Sequence, residues 1–373
     1  MRGGTSKAIV FAAADLPDDS RAADRLILRA FGSPDPRQID GLGGADSLTS
    51  KLAVVAPSAR ENADVDYTFG QVGIATATIN YKVSCGNTAA AVGVYAVQEG
   101  LVPARNGKTP VRVFDCNRNR LIIVEVPTDN GVVVTDGDYR ISGVPGTGAE
   151  IPVDFLDPAG GVTGELLPTG SAMNELDLDD GRRYHFSLVD CGNLYAILPA
   201  HDLGLKGGEP PREIESVPGV MSTVERLRRK ITSQMLPNLE PDADIEARAA
   251  RLKIAVVSGA RAFEAPDGRS YSNDSMDVTA RIINQESVHK AFAVTGAIAL
   301  AAAGAIPGTT VHQLCGHRDE TKQRLRIAHP QGLIACDIAA ATSSSGMNIS
   351  SVCIGRTARR IMDGAVYVPM GEE

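Results

Sequence analysis

The sequence predicts an α+β protein of two pseudo-symmetric domains, each a mostly antiparallel sheet curled around a central apolar helix. Three observations predict it. Four segments recur in the same order in the two halves, each half holds an alanine-rich helix with no polar face, and the rest reads as short strands.

The recurrences begin at the N-terminus. "RGGTSKAIVFAAADL" at 2–16 is echoed by "DCGNLYAILPAHDL" at 190–203, and "SKLAVVAPSAR" at 50–60 by "LKIAVVSGARA" at 252–262. "CGNTAAAVGVYAVQEGLVP" at 85–103 is echoed by "HKAFAVTGAIALAAAGAIP" at 289–307, and "VRVFDCNRNRLIIVEV" at 111–126 by "LRIAHPQGLIACDIA" at 325–339. The spacing between counterparts drifts slowly along the chain, as in one large repeat that tolerates insertions. In this register Asp15 answers to Asp202, Lys51 to Lys253 and Cys85 to His289.

Within each half, β-branched runs punctuated by Gly, Asn and Pro read as strands, and 111–126 is the clearest hairpin. The alanine-rich segments read as helices ending at Gly100 and Gly304, with Pro103 and Pro307 just beyond. A helix apolar on every side must be buried all round. Among strands, that requires a sheet wrapped about it. The Gly-, Pro- and Asp-rich stretch 127–183 joins the halves, so domains of 1–182 and 183–373 are expected. The last strand is free to return to the first domain, and the active site is expected in a cleft between the two. A further amphipathic helix is expected near 219–235, on the periphery.

Composition narrows the function. The chain of 373 residues is 43% hydrophobic and 22% charged, as in a globular protein with ample core. A formal charge of −8 and no basic cluster denser than "RLRRK" at 226–230 argue against nucleic acid, and that cluster reads as a solvated helix face. Six scattered cysteines without a C-x-x-C pair indicate neither a disulfide framework nor a zinc ribbon, which fits a reducing cytoplasm. The apolar run in "AIVFAAAD" is short for a signal peptide and an acid follows it at once. No window approaches the roughly 20 apolar residues of a membrane span.

Two residues stand out. Cys85 heads the first apolar helix, and its counterpart His289 is expected at the start of the second. A helix N-terminus carries unsatisfied N–H groups and partial positive charge, which attract anions and lower the pKa of a cysteine placed there. Two such mouths suit a small substrate with two or more carboxylates. An isolated cysteine or histidine is more often a core residue; Gly86, Asn87 and the symmetric placement shift the balance here. Lys51 heads an apolar strand behind the polar approach "GLGGADSLTS", where a lysine partly shielded from water can act as a general base. Other patterns fail. "RNGKT" at 105–109 lacks the first glycine of a phosphate loop, "GLGGAD" at 41–46 lacks the third glycine of a dinucleotide fingerprint, and "HQLCGH" at 312–317 lacks a clear fourth metal ligand.

With these positions fixed, the chain resembles the PrpF-type isomerases of the diaminopimelate-epimerase-like fold. The resemblance rests on "MRGGTSK", "QIDGLGGADSLTSK" at 38–51, "SCGN" at 84–87, "GTGAEIPVDFLDPAGGVTGELLPTG" at 146–170, "HKAFAVTGA" at 289–297 and "GRTARRIMDG" at 355–364. It implies a proton shift on an unsaturated di- or tricarboxylate such as aconitate, methylaconitate, methylitaconate or 4-oxalomesaconate. It implies no cofactor and no metal. Lys51 and Cys85 are then the catalytic residues, with Lys51 removing the proton and either residue returning it. Thr5, Ser6, Ser50, Gly86, Asn87, Thr88, Asn193, Met276 and His289 make up the expected substrate-binding set. No nucleic-acid or membrane partner is expected, and a homodimer is compatible with the reading. Related epimerases use a cysteine from each domain; histidine at 289 argues against amino-acid racemisation. An epimerase, or a non-catalytic polycarboxylate-binding partner of a dehydratase, is the alternative.

Overall fold

The repeat seen in the sequence is a strand-for-strand correspondence in the computed structural model, which describes residues 1–285, 287–315, 324–343 and 346–368. The chain divides into two compact units, Met1–Leu156 together with the segment from Gly355, and Asp157–Ile354. The division falls ahead of the expected 182. Strand Ile151–Leu156 still pairs with Arg120–Asp129 of the first unit, whereas Asn174–Asp177 pairs with Arg183–Cys191 of the second. The joining stretch is therefore split between them. At the other end, Ala358–Arg359 pairs with Arg2–Gly3.

In the first unit, Ser6–Ala12 runs parallel to Lys51–Pro57 with Ala8 beside Lys51, and Lys51–Pro57 runs antiparallel to Val65–Val72 with Lys51 beside Gln71. Val65–Val72 lies parallel to Gly107–Asp115, which forms a hairpin with Arg120–Asp129. The second unit repeats each step. Asn193–Pro199 runs parallel to Lys253–Gly259 with Tyr195 beside Lys253, and Lys253–Gly259 runs antiparallel to Val278–Ile283. Val278–Ile283 lies parallel to Arg324–His329, which forms a hairpin with Gly332–Ser343. Both Ser6–Ala12 and Asn193–Pro199 run out into a 3-10 turn that carries the repeated Asp-Leu.

Each unit packs its strands around one helix. Gly86–Gln98 is buried at every position except Tyr95 and Gln98, among Val65, Tyr67, Phe69, Val111, Val113, Val124 and Val153. The helix sits so close to the N-terminal turn that a Cβ on Gly3 would meet the Asn87 carbonyl oxygen at 2.3 Å. One on Gly4, whose φ is +50°, would meet Asn87 Oδ1 at 1.9 Å. The glycines of "RGG" are thus set by a helix more than eighty residues downstream. Val294–Ala305 is the buried helix of the second unit; it continues one residue past Gly304 before Pro307 ends it.

Two further helices lie apart from these central ones. Ser20–Phe31, capped by the Asp19 side chain, was not expected from the sequence; only Ile27, Ala30 and Phe31 are buried, so its apolar stripe is narrow. Val220–Met235 is the expected amphipathic helix. Its basic run is mostly solvated and paired to acids, but Arg228 is buried, donating to the carbonyls of Leu252 and Ile283. Among the described residues no helix is long and apolar enough to cross a membrane.

Candidate active site

The first unit brings Lys51, Cys85 and the N-terminal turn together at the mouth of the helix Gly86–Gln98. Cys85 is the N-cap residue, with extended backbone and no side-chain cap bond. Its neighbours follow from the topology. Ser6 opens the strand beside Lys51–Pro57 and places its hydroxyl 3.8 Å from the Cys85 sulfur. Thr88, in the first turn of the helix, lies near enough for its hydroxyl and N–H to favour the thiolate, although the buried hydroxyl makes no hydrogen bond of ordinary geometry with the described residues. Thr5 sits just before Ser6 and its hydroxyl accepts from Asn87 Nδ2 at 3.3 Å.

Lys51 is buried despite its charge. Directly opposed residues of an antiparallel pair lie within side-chain reach, and Nζ donates to Oε1 of the opposed Gln71 at 2.8 Å. The Gln71 amide is held in turn by the Ser50 carbonyl at 3.1 Å. On the diagonal, the ring of Phe69 lies 5.2 Å from Nζ, a cation–π contact.

These placements act on the thiol. Burial pushes the Cys85 pKa up, but the Lys51 charge, the Thr88 hydroxyl and N–H, and the Ser6 hydroxyl together outweigh it, and the thiol is held below its ordinary value. Tyr67 lies beneath. Burial first, then the charges of Cys85 and Asp115, push its phenol well above the ordinary range, so it stays protonated and donates to the Cys85 carbonyl at 3.4 Å. Gly86 and Asn87 have no residue one turn earlier in the helix to accept from their N–H groups, which therefore face out of the mouth. Asn87 Oδ1, buried, has no hydrogen-bond partner among the described residues.

The other expected site residues fare unequally. Ser50 is fully buried with its hydroxyl engaged: it donates to Gln38 Oε1 at 2.6 Å and accepts from the Gly44 N–H at 3.3 Å. It shapes the approach loop, with its hydroxyl joined to Gln38 and Gly44. His289 does not head the second helix. That helix is capped by Ala293, and His289 lies in the preceding loop, where Nδ1 accepts from the Ala291 N–H at 3.1 Å. The repeat register matched the segment, but the helix starts later in the second unit. Met276 is buried in the second unit, with its sulfur accepting from Thr279 at 3.8 Å. Asn193 begins its strand in that unit, its Oδ1 accepting from the Leu194 N–H at 3.0 Å. Of "HQLCGH", Gly316 and His317 lie outside the described residues; His312 and Cys315 belong to the short helix Thr310–Cys315. Sequence reading missed Gln71, Tyr67 and Phe69, because their relation to Lys51 and Cys85 exists only through strand register.

The chain matches the PrpF protein family over residues 1–369. It is 38% identical over 369 residues to the 3-methylitaconate isomerase of Eubacterium barkeri, covering 99% of this chain and 96% of that one. It is 38% identical over 368 residues to the 4-oxalomesaconate tautomerase of Pseudomonas putida, covering 99% and 94%. The crystal structure of a methylitaconate-delta-isomerase superposes with a TM-score of 0.83 at 37% identity, over 98% of this chain and 94% of that one. Full-length matches of this kind, on a fold with one buried helix in each unit, establish that the chain belongs to the PrpF family.

Proposed function

We propose that this protein is a cofactor-independent isomerase that moves a proton between two carbons of an unsaturated di- or tricarboxylate. The observation that carries the reading is the pairing of Lys51 with a depressed Cys85 thiol at the open end of an apolar helix. The pairing supplies a base and an acid, and the helix supplies donors for an anion.

A C–H bond beside a conjugated carboxylate is a weak acid, so the barrier falls chiefly by stabilising the enolate oxygens. The N–H groups of Gly86 and Asn87 suit that task, with the positive end of the helix behind them. Lys51 and Cys85 are assigned to carry the proton between them. With the proton on Lys51, the Cys85 thiolate takes the substrate proton and the ammonium returns one at the far end of the allylic system. With it on Cys85, the roles exchange. Either way one C–H bond breaks, one forms, and the double bond moves by one position. Lys51 is needed in both courses, as base or as counter-charge. Thr5 and Ser6 are assigned to a second carboxylate, beside the helix mouth.

The test is incubation with a panel of unsaturated di- and tricarboxylates in D₂O, followed by NMR. Deuterium appearing at an allylic carbon together with a shifted double bond is expected. Binding without any exchange would instead favour the accessory role, and exchange at an amino-acid α-carbon the epimerase.

A further inference from the structure

The turn between strands Gly107–Asp115 and Arg120–Asp129 bonds to the chain on both sides of the Lys51–Cys85 pair. Asp115 ends the first strand and is buried. Its Oδ2 accepts from the hydroxyl of Ser84, the residue before Cys85, while Oδ1 accepts from the N–H groups of Asn117 at 3.0 Å and Arg118 at 3.2 Å. The Asn117 side chain makes three bonds, and all of them leave the hairpin. Its Nδ2 donates to the carbonyls of Tyr81 at 2.7 Å and Phe69 at 2.9 Å, and Oδ1 accepts from the Phe69 N–H at 2.7 Å. The Cys116 N–H adds a bond to the Tyr67 carbonyl at 2.9 Å.

These partners are not scattered. Phe69 carries the ring beside Lys51 Nζ, and Tyr67 donates to the Cys85 carbonyl. Residues 81–85, which deliver Cys85 to the helix, lie in no strand or helix. Without a ladder to fix them, their path depends on such side-chain bonds. A turn that merely closed a hairpin would satisfy its own backbone, and the Asp115 Oδ1 bonds do that. The Asn117 and Ser84 bonds do something else: they tie the strand under Lys51 to the loop before Cys85.

We propose that Asp115 and Asn117 are positioning residues that set the approach of Lys51 to Cys85. The proposal rests on reading that pair as the reacting groups. Its main readout, however, requires no substrate: the pH midpoint for alkylation of Cys85 by iodoacetamide in the full chain, followed by peptide mass. Asn117→Ala and Asp115→Ala should raise that midpoint towards the ordinary thiol value, because the Lys51 charge is no longer held in place. On the substrate identified in D₂O they should lower kcat by about 10- to 100-fold with little change in KM, the scale expected of a small misplacement. Asp115→Asn keeps an oxygen for the turn and offers an N–H to Ser84, so it should restore both. Ser84→Ala removes one bond at the partly exposed end and should shift the midpoint in the same direction while the protein stays folded by thermal unfolding. A folded Asn117→Ala or Asp115→Ala protein with the wild-type midpoint overturns the proposal; should both fail to fold, an unmoved midpoint in Ser84→Ala overturns it. If the wild type turns over no polycarboxylate yet the midpoints move as stated, the isomerase reading fails and the positioning role stands.

Discussion

Lys51 lowers the pKa of Cys85, which lies more than thirty residues further along the chain. The lysine starts one strand, the cysteine caps a helix, and Gln71 and Phe69 hold the lysine while the Ser6 hydroxyl lies against the sulfur. Burial alone would leave Cys85 a neutral thiol. The cation and the donors around it instead bring its pKa below the ordinary value, which makes the pair, rather than either member, the unit to be tested.

Lys51→Met should abolish both isomerisation and solvent exchange, since it removes a base in one course and the counter-charge in the other. A general acid or base contributes roughly 10²–10⁴-fold. Cys85→Ser keeps a small hydroxyl at the helix mouth and leaves Lys51 without its anionic partner, so residual turnover or exchange is expected. A dead Cys85→Ser protein would select the course in which the thiolate takes the proton, and a modestly slowed Lys51→Met protein would overturn the requirement for Lys51 in both courses. Steady-state rates and deuterium uptake on the same preparations decide it.

Alkylation should report the depressed thiol directly. Because the folded pKa lies below the ordinary value of about 8.5, thiolate and alkylation rate should rise at lower pH for Cys85 than for a free thiol. Lys51→Met removes the lowering charge and leaves burial, so the midpoint should move upward. Cys116, accessible at the surface yet with its pKa pushed up by partial burial, serves as an internal reference that reacts at higher pH. An unchanged Cys85 midpoint in Lys51→Met would remove the electrostatic basis of the mechanism.

Dialysis against EDTA should leave turnover intact, and added Mg²⁺ or Zn²⁺ should not raise it. Among the described residues, no group of three or more His, Cys, Asp or Glu side chains is placed to hold a metal ion. Loss of rate in chelator, restored by one divalent ion, would count against a purely side-chain proton transfer.

Gly4→Ala should destabilise the fold by about 1–3 kcal/mol, from an unfavourable positive φ and a clash with Asn87. Because Asn87 lies at the helix mouth, KM should also rise in the protein that remains folded. Thermal unfolding and substrate titration measure the two effects separately; a wild-type melting temperature would show that the turn yields without strain.

Much of the fold was legible before any coordinates. The internal repeat, the two all-round apolar helices and the hairpin at 111–126 are properties of residue order, because burial and period leave their mark on composition. The match of Ala8 beside Lys51 with Tyr195 beside Lys253 is what that repeat means in space. Lys51 and Cys85 were legible too, as a charge at the head of an apolar strand and a thiol at the head of an apolar helix. Tertiary structure decided the rest. Where the second helix begins moved His289 off its mouth, since alanine-rich sequence marks a helix better than its first residue. Strand register put Gln71 and Phe69 at Lys51, and a turn thirty residues past Cys85 took hold of the loop before it. Such contacts join residues that share no local pattern, and hydrogen bonds to backbone carbonyls leave no signature in side-chain type, so only the folded chain reveals them.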